Sequence, residues 1–124
     1  MRNSVTRKTP APDGWVTQLR KGLMELCILR LLRGGESYGY AIVRAMKDHP
    51  ALSVSESTVY PVLARLKAEG ALSVRDVPSP AGPPRRYFSL SARGRARLVE
   101  LNAYWKQMTA AVEELHPLAK ETPS

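Results

Sequence analysis

The 124-residue chain has a single cysteine and two histidines, and both shortages narrow its chemistry. Cys27 alone cannot form a disulfide within the chain, and neither His49 nor His116 has another ligand-type residue at metal-site spacing, so no structural zinc is expected. No apolar run approaches the roughly 18 residues that a membrane span needs, and residues 1–14 lack the apolar core of a secretion signal. The expectation is a cytoplasmic protein with no membrane partner. Also missing are paired carboxylates, a nucleophile beside a base and a glycine loop able to cradle phosphates, which argues against an enzyme and against a cofactor.

What is present is positive charge, unevenly spread. Hydrophobic residues at 44% and charged residues at 24% are ordinary for a globular chain, so neither wholesale disorder nor a fibrous protein is indicated. The net charge is +8, which points toward a polyanionic partner. Residues 1–99 hold 17 Lys or Arg against 7 Asp or Glu, whereas residues 100–124 hold 2 against 4. The two parts are expected to have different partners. A domain this small buries only part of its unfolded surface, and a partner subunit would help it.

Residues 1–14 combine Arg2, Arg7 and Lys8 with Pro10, Pro12 and Gly14 and show no periodicity, which fits a flexible basic arm or an inert tail. Residues 15–33 are apolar on most sides, through Leu19, Leu23, Met24, Leu29 and Leu32, and predict a helix buried on most sides and ended by Gly34-Gly35. Cys27 inside it is either a packed thiol or, if exposed beside positive charge, a redox sensor. Ser37 is expected to cap a second helix over residues 38–48, stopped by His49-Pro50. Tyr38, Ile42, Ala45 and Met46 form its inner face and Tyr40, Arg44 and Lys47 its outer one. Ser53-Val-Ser-Glu56 fits a capping box opening a third helix. Val59, Val62, Leu63 and Leu66 make its buried stripe; Ser57, Pro61, Ala64 and Ala68 lie opposite, flanked by Thr58 and Arg65 on one side and Tyr60 and Lys67 on the other. Pro61 is tolerable near the first turns, where few backbone donors are engaged.

Leu72 and Val74 alternate with Ser73 and Arg75, and Arg86, Phe88 and Leu90 with Arg85, Tyr87 and Ser89, which predicts two strands. Residues 77–84 between them contain four prolines, are too long for a two-residue turn, and read as a stiff projecting ribbon with arginines at its base. Ser91 caps a last, long helix in which Leu98, Leu101, Trp105, Met108, Val112 and Leu115 recur at gaps of three and four, a coiled-coil seam that asks for another helix. Arg93, Arg95 and Arg97 read as solvated charges, although cations there oppose the helix dipole. His116-Pro117 ends the helix, and residues 119–124 form a tail.

Three helices, a β-hairpin and a long helix make a mainly α fold: a winged helix-turn-helix over residues 15–90 with an appended dimerisation helix over residues 91–118. The stretches Lys21-Gly-Leu-Met-Glu-Leu-Cys-Ile-Leu-Arg-Leu-Leu32, Ser37-Tyr-Gly-Tyr-Ala-Ile42, Ser57-Thr-Val-Tyr-Pro-Val-Leu63 and Arg85-Arg-Tyr-Phe-Ser-Leu-Ser-Ala-Arg-Gly94 resemble the PadR family of bacterial transcriptional regulators, in its short form with one C-terminal helix. The resemblance implies a homodimer that binds double-stranded operator DNA, usually as a repressor, with the third helix in the major groove and the wing beside the minor groove. Family members often carry Gly-Arg-Pro-Arg before the second wing strand. Here Gly82-Pro-Pro-Arg85 stands instead, so a minor-groove contact from the first wing arginine is not implied.

The residues themselves point the same way. A helix enters the major groove only if its outward centre is not bulky, and Ser57, Pro61 and Ala64 meet that condition. Ser37, Tyr38, Ser55, Ser57, Thr58 and Tyr60 offer hydrogen bonds, and Arg65, Lys67, Arg85 and Arg86 offer charge. With no exposed Arg, Asn or Gln in the first turns of that helix, phosphate contact and shape readout are expected to outweigh base reading. Taken singly, Arg65 and Lys67 are equally readable as solvated charges, and Tyr38 and Tyr60 as core or rim aromatics. Trp105 either closes the core of a two-fold seam or flanks, with Trp15, a slot for a planar effector. Some short relatives sense flat aromatic or phenolic compounds at the dimer interface. The competing reading is a winged helix used as a protein-interaction module without specific DNA binding.

Overall fold

The computed structural model describes residues 14–119. The arm and the tail predicted from the sequence therefore lie outside the described residues, apart from Gly14 and Ala119. Four helices and a three-stranded antiparallel sheet follow in the order α1 (Trp15–Leu32), β1 (Ser37–Tyr38), α2 (Gly39–Lys47), a 3-10 turn (Pro50–Leu52), α3 (Glu56–Ala68), β2 (Leu72–Ser79), β3 (Gly82–Leu90) and α4 (Ala92–Glu114). The sheet order is β1-β3-β2. Within the described residues no helix is long and apolar enough to cross a membrane.

One core joins α1, α2, α3, the inner face of the sheet and the start of α4. Ile28, Leu29, Val43, Val59 and Leu66 have no exposed surface, and burial of each such side chain stabilises the fold by about 1.5–3 kcal/mol. α1 departs from its expected all-round burial. Its second half sinks Met24, Leu26, Ile28, Leu29 and Leu32 into the core, whereas Trp15 and Leu19 near its start are 72% and 60% exposed. The first turns overhang the core and lie beside α4.

Ser37 does not cap α2. Ser37 and Tyr38 form β1 instead, pairing with Phe88 and Tyr87 of β3, so their backbone groups are satisfied across the sheet rather than by a side-chain cap. Nor does the capping box form at α3. Ser53 closes the 3-10 turn, Ser55 precedes the helix, and the Ser55 hydroxyl lies 2.7 Å from that of Ser57 instead of accepting from the helix backbone. Pro61 lies inside α3, beyond the free donors of the first turn, and removes the bond that a residue there would make to the Ser57 carbonyl. α3 ends on Gly70, at φ 80°. The Gly70 amide donates to the Lys67 carbonyl and the Ala71 amide to that of Leu66, the paired bonds of a glycine-terminated helix.

The wing is more regular than its prolines suggest. β2 and β3 remain paired out to Ser79 and Gly82, joined by the two residues Pro80 and Ala81, with a register shift between Val77 and Ser79. The predicted loop over residues 77–84 is thus mostly strand, closed by a two-residue turn after all. Pro78, Pro83 and Pro84 sit at the irregularity near the tip, where they withhold donors that another strand edge would recruit.

Ser91 caps α4 as predicted, its Oγ accepting from the Gly94 amide at 3.0 Å. The helix ends at Glu114, and Leu115 is its C-cap, short of His116-Pro117.

Candidate nucleic-acid interface

α3 presents Ser57, Pro61, Ala64 and Ala68 to solvent, as its periodicity predicts. Beside this row the start of α2, the flank of α3 and strand β3 enclose a depression of about 600 Å³. Leu63 and Phe88, both buried, form its floor. Tyr38, Tyr40 and Tyr60 supply its aromatic walls, and Lys67, Arg85 and Arg86 its charge. Five residues selected from sequence, Tyr38, Tyr60, Lys67, Arg85 and Arg86, are brought together here from three elements.

The local packing explains why. A Cβ on Gly39 would lie 2.6 Å from Cε1 of Tyr60, so only glycine lets the Tyr60 ring settle over the start of α2. Burial, followed by the charge of Glu56 and the neighbouring Tyr40, raises the Tyr60 hydroxyl pKa. The phenol therefore remains a proton donor at neutral pH. Arg85 lies over the Tyr38 ring, 5.0 Å from its centroid, and Tyr38 in turn meets Tyr87 at 5.7 Å. Arg75 covers Tyr87 at 5.6 Å and is ion-paired with Glu36, which holds the Glu36 carboxyl below the usual carboxylate range. Arg86 pairs with Asp76 at 3.1 Å, directly across the β2–β3 ladder. Among the polar side chains that line the depression, Tyr40 is the one that sequence reasoning left off the site. Its signal was the Tyr-Gly-Tyr motif, in which both rings flank the glycine that admits Tyr60.

Other predicted contacts lie elsewhere. Ser55 and Ser57 are exposed at the start of α3, Thr58 is half-buried there, and Ser37 is half-buried opposite Phe88; none of the four lines the depression. Arg65 turns away from it. Its guanidinium binds Glu25 of α1 at 3.0 Å and Glu69 at 3.2 Å, and Arg97 of α4 binds the same two carboxylates at 3.2 and 2.7 Å. These contacts raise the pKa of both arginines and lower that of Glu69. Arg93 donates to the Glu69 carbonyl at 3.0 Å. Arg97 is therefore a half-buried tether rather than a solvated charge, Arg93 stays exposed but is tied to the end of α3, and Arg95 is exposed as expected; the two ties offset the unfavourable place of Arg93 and Arg97 at a helix start.

A second concavity, about 920 Å³ and almost wholly apolar, lies between the start of α1 and the distal half of α4. It contains both Trp15 and Trp105, with Leu19, Leu23, Met108 and Val112. The predicted seam divides on inspection. Leu98 is 4% exposed and belongs to its own chain's core, and Leu101 and Trp105 pack partly against that core. Met108, Val112 and Leu115 are 55%, 63% and 76% exposed. Cys27 is half-buried against the core, and burial raises its thiol pKa despite the opposing charge of Arg30. That favours a packed thiol over a redox sensor.

Comparison with known proteins locates this fold among regulators. Residues 28–100 match the model of the transcriptional regulator PadR-like family. A PadR-like transcription factor from Bacteroides fragilis is 40% identical, with a TM-score of 0.69 over 81% of this chain and 96% of its own. A PadR family regulator from Eggerthella lenta is 30% identical, with a TM-score of 0.73 over 80% and 86%. Bacillus subtilis PadR, solved in complex with operator DNA, is 25% identical with a TM-score of 0.59; the match covers 82% of this chain and 52% of that one. On the extent of the family match and the identity to these relatives, the chain belongs to the PadR-like family of transcriptional regulators.

Proposed function

We propose that the chain is a cytoplasmic homodimeric repressor that holds operator DNA against α3 and the wing, and that a flat aromatic or phenolic effector between Trp15 and Trp105 releases it. The observation that carries the DNA contact is the convergence of Lys67, Arg85 and Arg86 with Tyr38, Tyr40 and Tyr60 beside the small-residue face of α3. Cations and phenols of this kind bind phosphates, while Ser57, Pro61 and Ala64 let the helix approach the groove floor. The B. subtilis relative solved with operator DNA supports the same use of the fold.

Dimerisation is supported by the exposed apolar surface that α1 and α4 share, from Trp15 and Leu19 to Met108 and Val112. Such a surface is rarely left open on a monomer. A titration of labelled duplexes at several salt concentrations tests the DNA contact. The affinity falls steeply as salt rises, by about 0.9 counterions per phosphate contact, and at physiological salt an operator outcompetes a scrambled duplex of equal length. Equal affinity for both duplexes would favour a protein-interaction module instead.

A further inference from the structure

The arginines around the depression are not equally available. Arg86 lines it, and its Nε is 3.1 Å from Oδ1 of Asp76, its direct cross-strand partner. Side chains that face each other across an antiparallel ladder lie on one side of the sheet. The Asp76–Arg86 pair follows Val74–Phe88 by two residues, so it shares the face on which Phe88 floors the depression. Both partners are about half exposed, at 55% and 54%, and a carboxylate in this place presents to Arg86 the oxygens that a DNA phosphate would present.

We propose that Asp76 is a built-in phosphate surrogate that occupies Arg86 in the free protein and thereby sets how tightly the wing holds any duplex. Resting on the DNA-binding function proposed above, this adds a tuning residue that the basic face alone does not reveal. DNA must exchange a phosphate for the Asp76 carboxylate, and the freed carboxylate then lies within a Debye length of the backbone, about 8 Å at physiological salt. Phosphate contacts carry no sequence information, so the attenuation acts alike on every sequence. Arg85 differs: its guanidinium lies over the Tyr38 ring, and among the described residues it has no carboxylate to release.

Glu36 provides the matched control. Immediately before β1, it pairs with Arg75 of β2, and neither residue lines the depression. Asp76→Asn and Glu36→Gln remove the same unit of charge in different places. For Asp76→Asn the expected result is about two- to fivefold tighter binding, the scale of one exposed ion pair, on operator and scrambled duplexes alike. The dependence of log affinity on log salt steepens by about one. Glu36→Gln leaves both affinities within twofold of wild type. A selective loss of operator affinity in Asp76→Asn would overturn the proposal by making Asp76 a base-reading or positioning group. No change, or an equal gain in Glu36→Gln, would overturn it as well. Wild-type preference for operator over scrambled duplex, read in the same titrations, tests the parent function separately.

Discussion

Lys67 and Arg85 are the two cations of the depression that have no carboxylate partner among the described residues, and their substitution should be the most telling. Lys67→Ala and Arg85→Ala are each expected to weaken operator and scrambled DNA by a similar factor and to flatten the salt dependence by about one counterion. Arg65→Ala should leave that slope unchanged and instead lower the melting temperature, because its guanidinium is committed to Glu25 and Glu69. Fluorescence anisotropy and thermal melts on the same three variants separate the two roles. Glu69 adds a dependence on pH. Its carboxyl is held below the usual range by Arg97 and then by Arg65, so folding favours its ionised form. The resulting stability is present in full above the ordinary Glu value of about pH 4.3 and drains away as the pH falls through the lower folded value. Glu69→Gln is accordingly expected to melt below wild type at neutral pH, with the gap closing as the pH falls from about 4.3. A gap that widened toward acid would contradict the ion-pair assignment.

Among the elements, α4 is the one best marked by local sequence. Ser91 announces it and stands at its N-cap, where its hydroxyl both accepts from the Gly94 amide and donates to the Gly70 carbonyl at 2.6 Å. Ser91→Ala loses the helix cap and the link to the end of α3, with an expected loss of about 1–2 kcal/mol in denaturant unfolding. The helices were legible because each has enough turns for its apolar spacing to repeat, as with Val59, Leu63 and Leu66 of α3. β1 was not, since a two-residue strand has no period and its partners Tyr87 and Phe88 lie some fifty residues away in the chain. The proline-rich wing hid its strands for a different reason: proline reads as a ladder breaker, but at a free edge near a tip no donor is required. Much of the site was visible from residue type alone. What a helical wheel does not show is which charges are already taken, and Arg65 is bound to Glu25, forty residues earlier and on another helix.

For the whole molecule, the basic face and the apolar face are separate. Charge gathers around α3 and the wing, while exposed apolar surface gathers along α1 and the distal half of α4. Because Leu98 and, in part, Leu101 are used by the chain's own core, the apolar surface left open to the proposed second copy begins further along α4 than the heptad spacing suggests and takes in Trp15 and Leu19. Met108→Glu combined with Val112→Glu is expected to yield a folded monomer by sedimentation, with operator affinity reduced by at least tenfold, since desolvating unpaired carboxylates in an apolar seam is strongly unfavourable. A double variant that remained dimeric would move the interface elsewhere. In the proposed dimer, two α3 helices fixed by such a seam would meet two half-sites related by a two-fold axis. The most direct measurement is selection of duplexes by the wild-type protein from a random-sequence pool at physiological salt. Enrichment of an inverted repeat is the predicted result, and recovery of a pool with no enriched motif would contradict sequence-specific regulation by the proposed dimer.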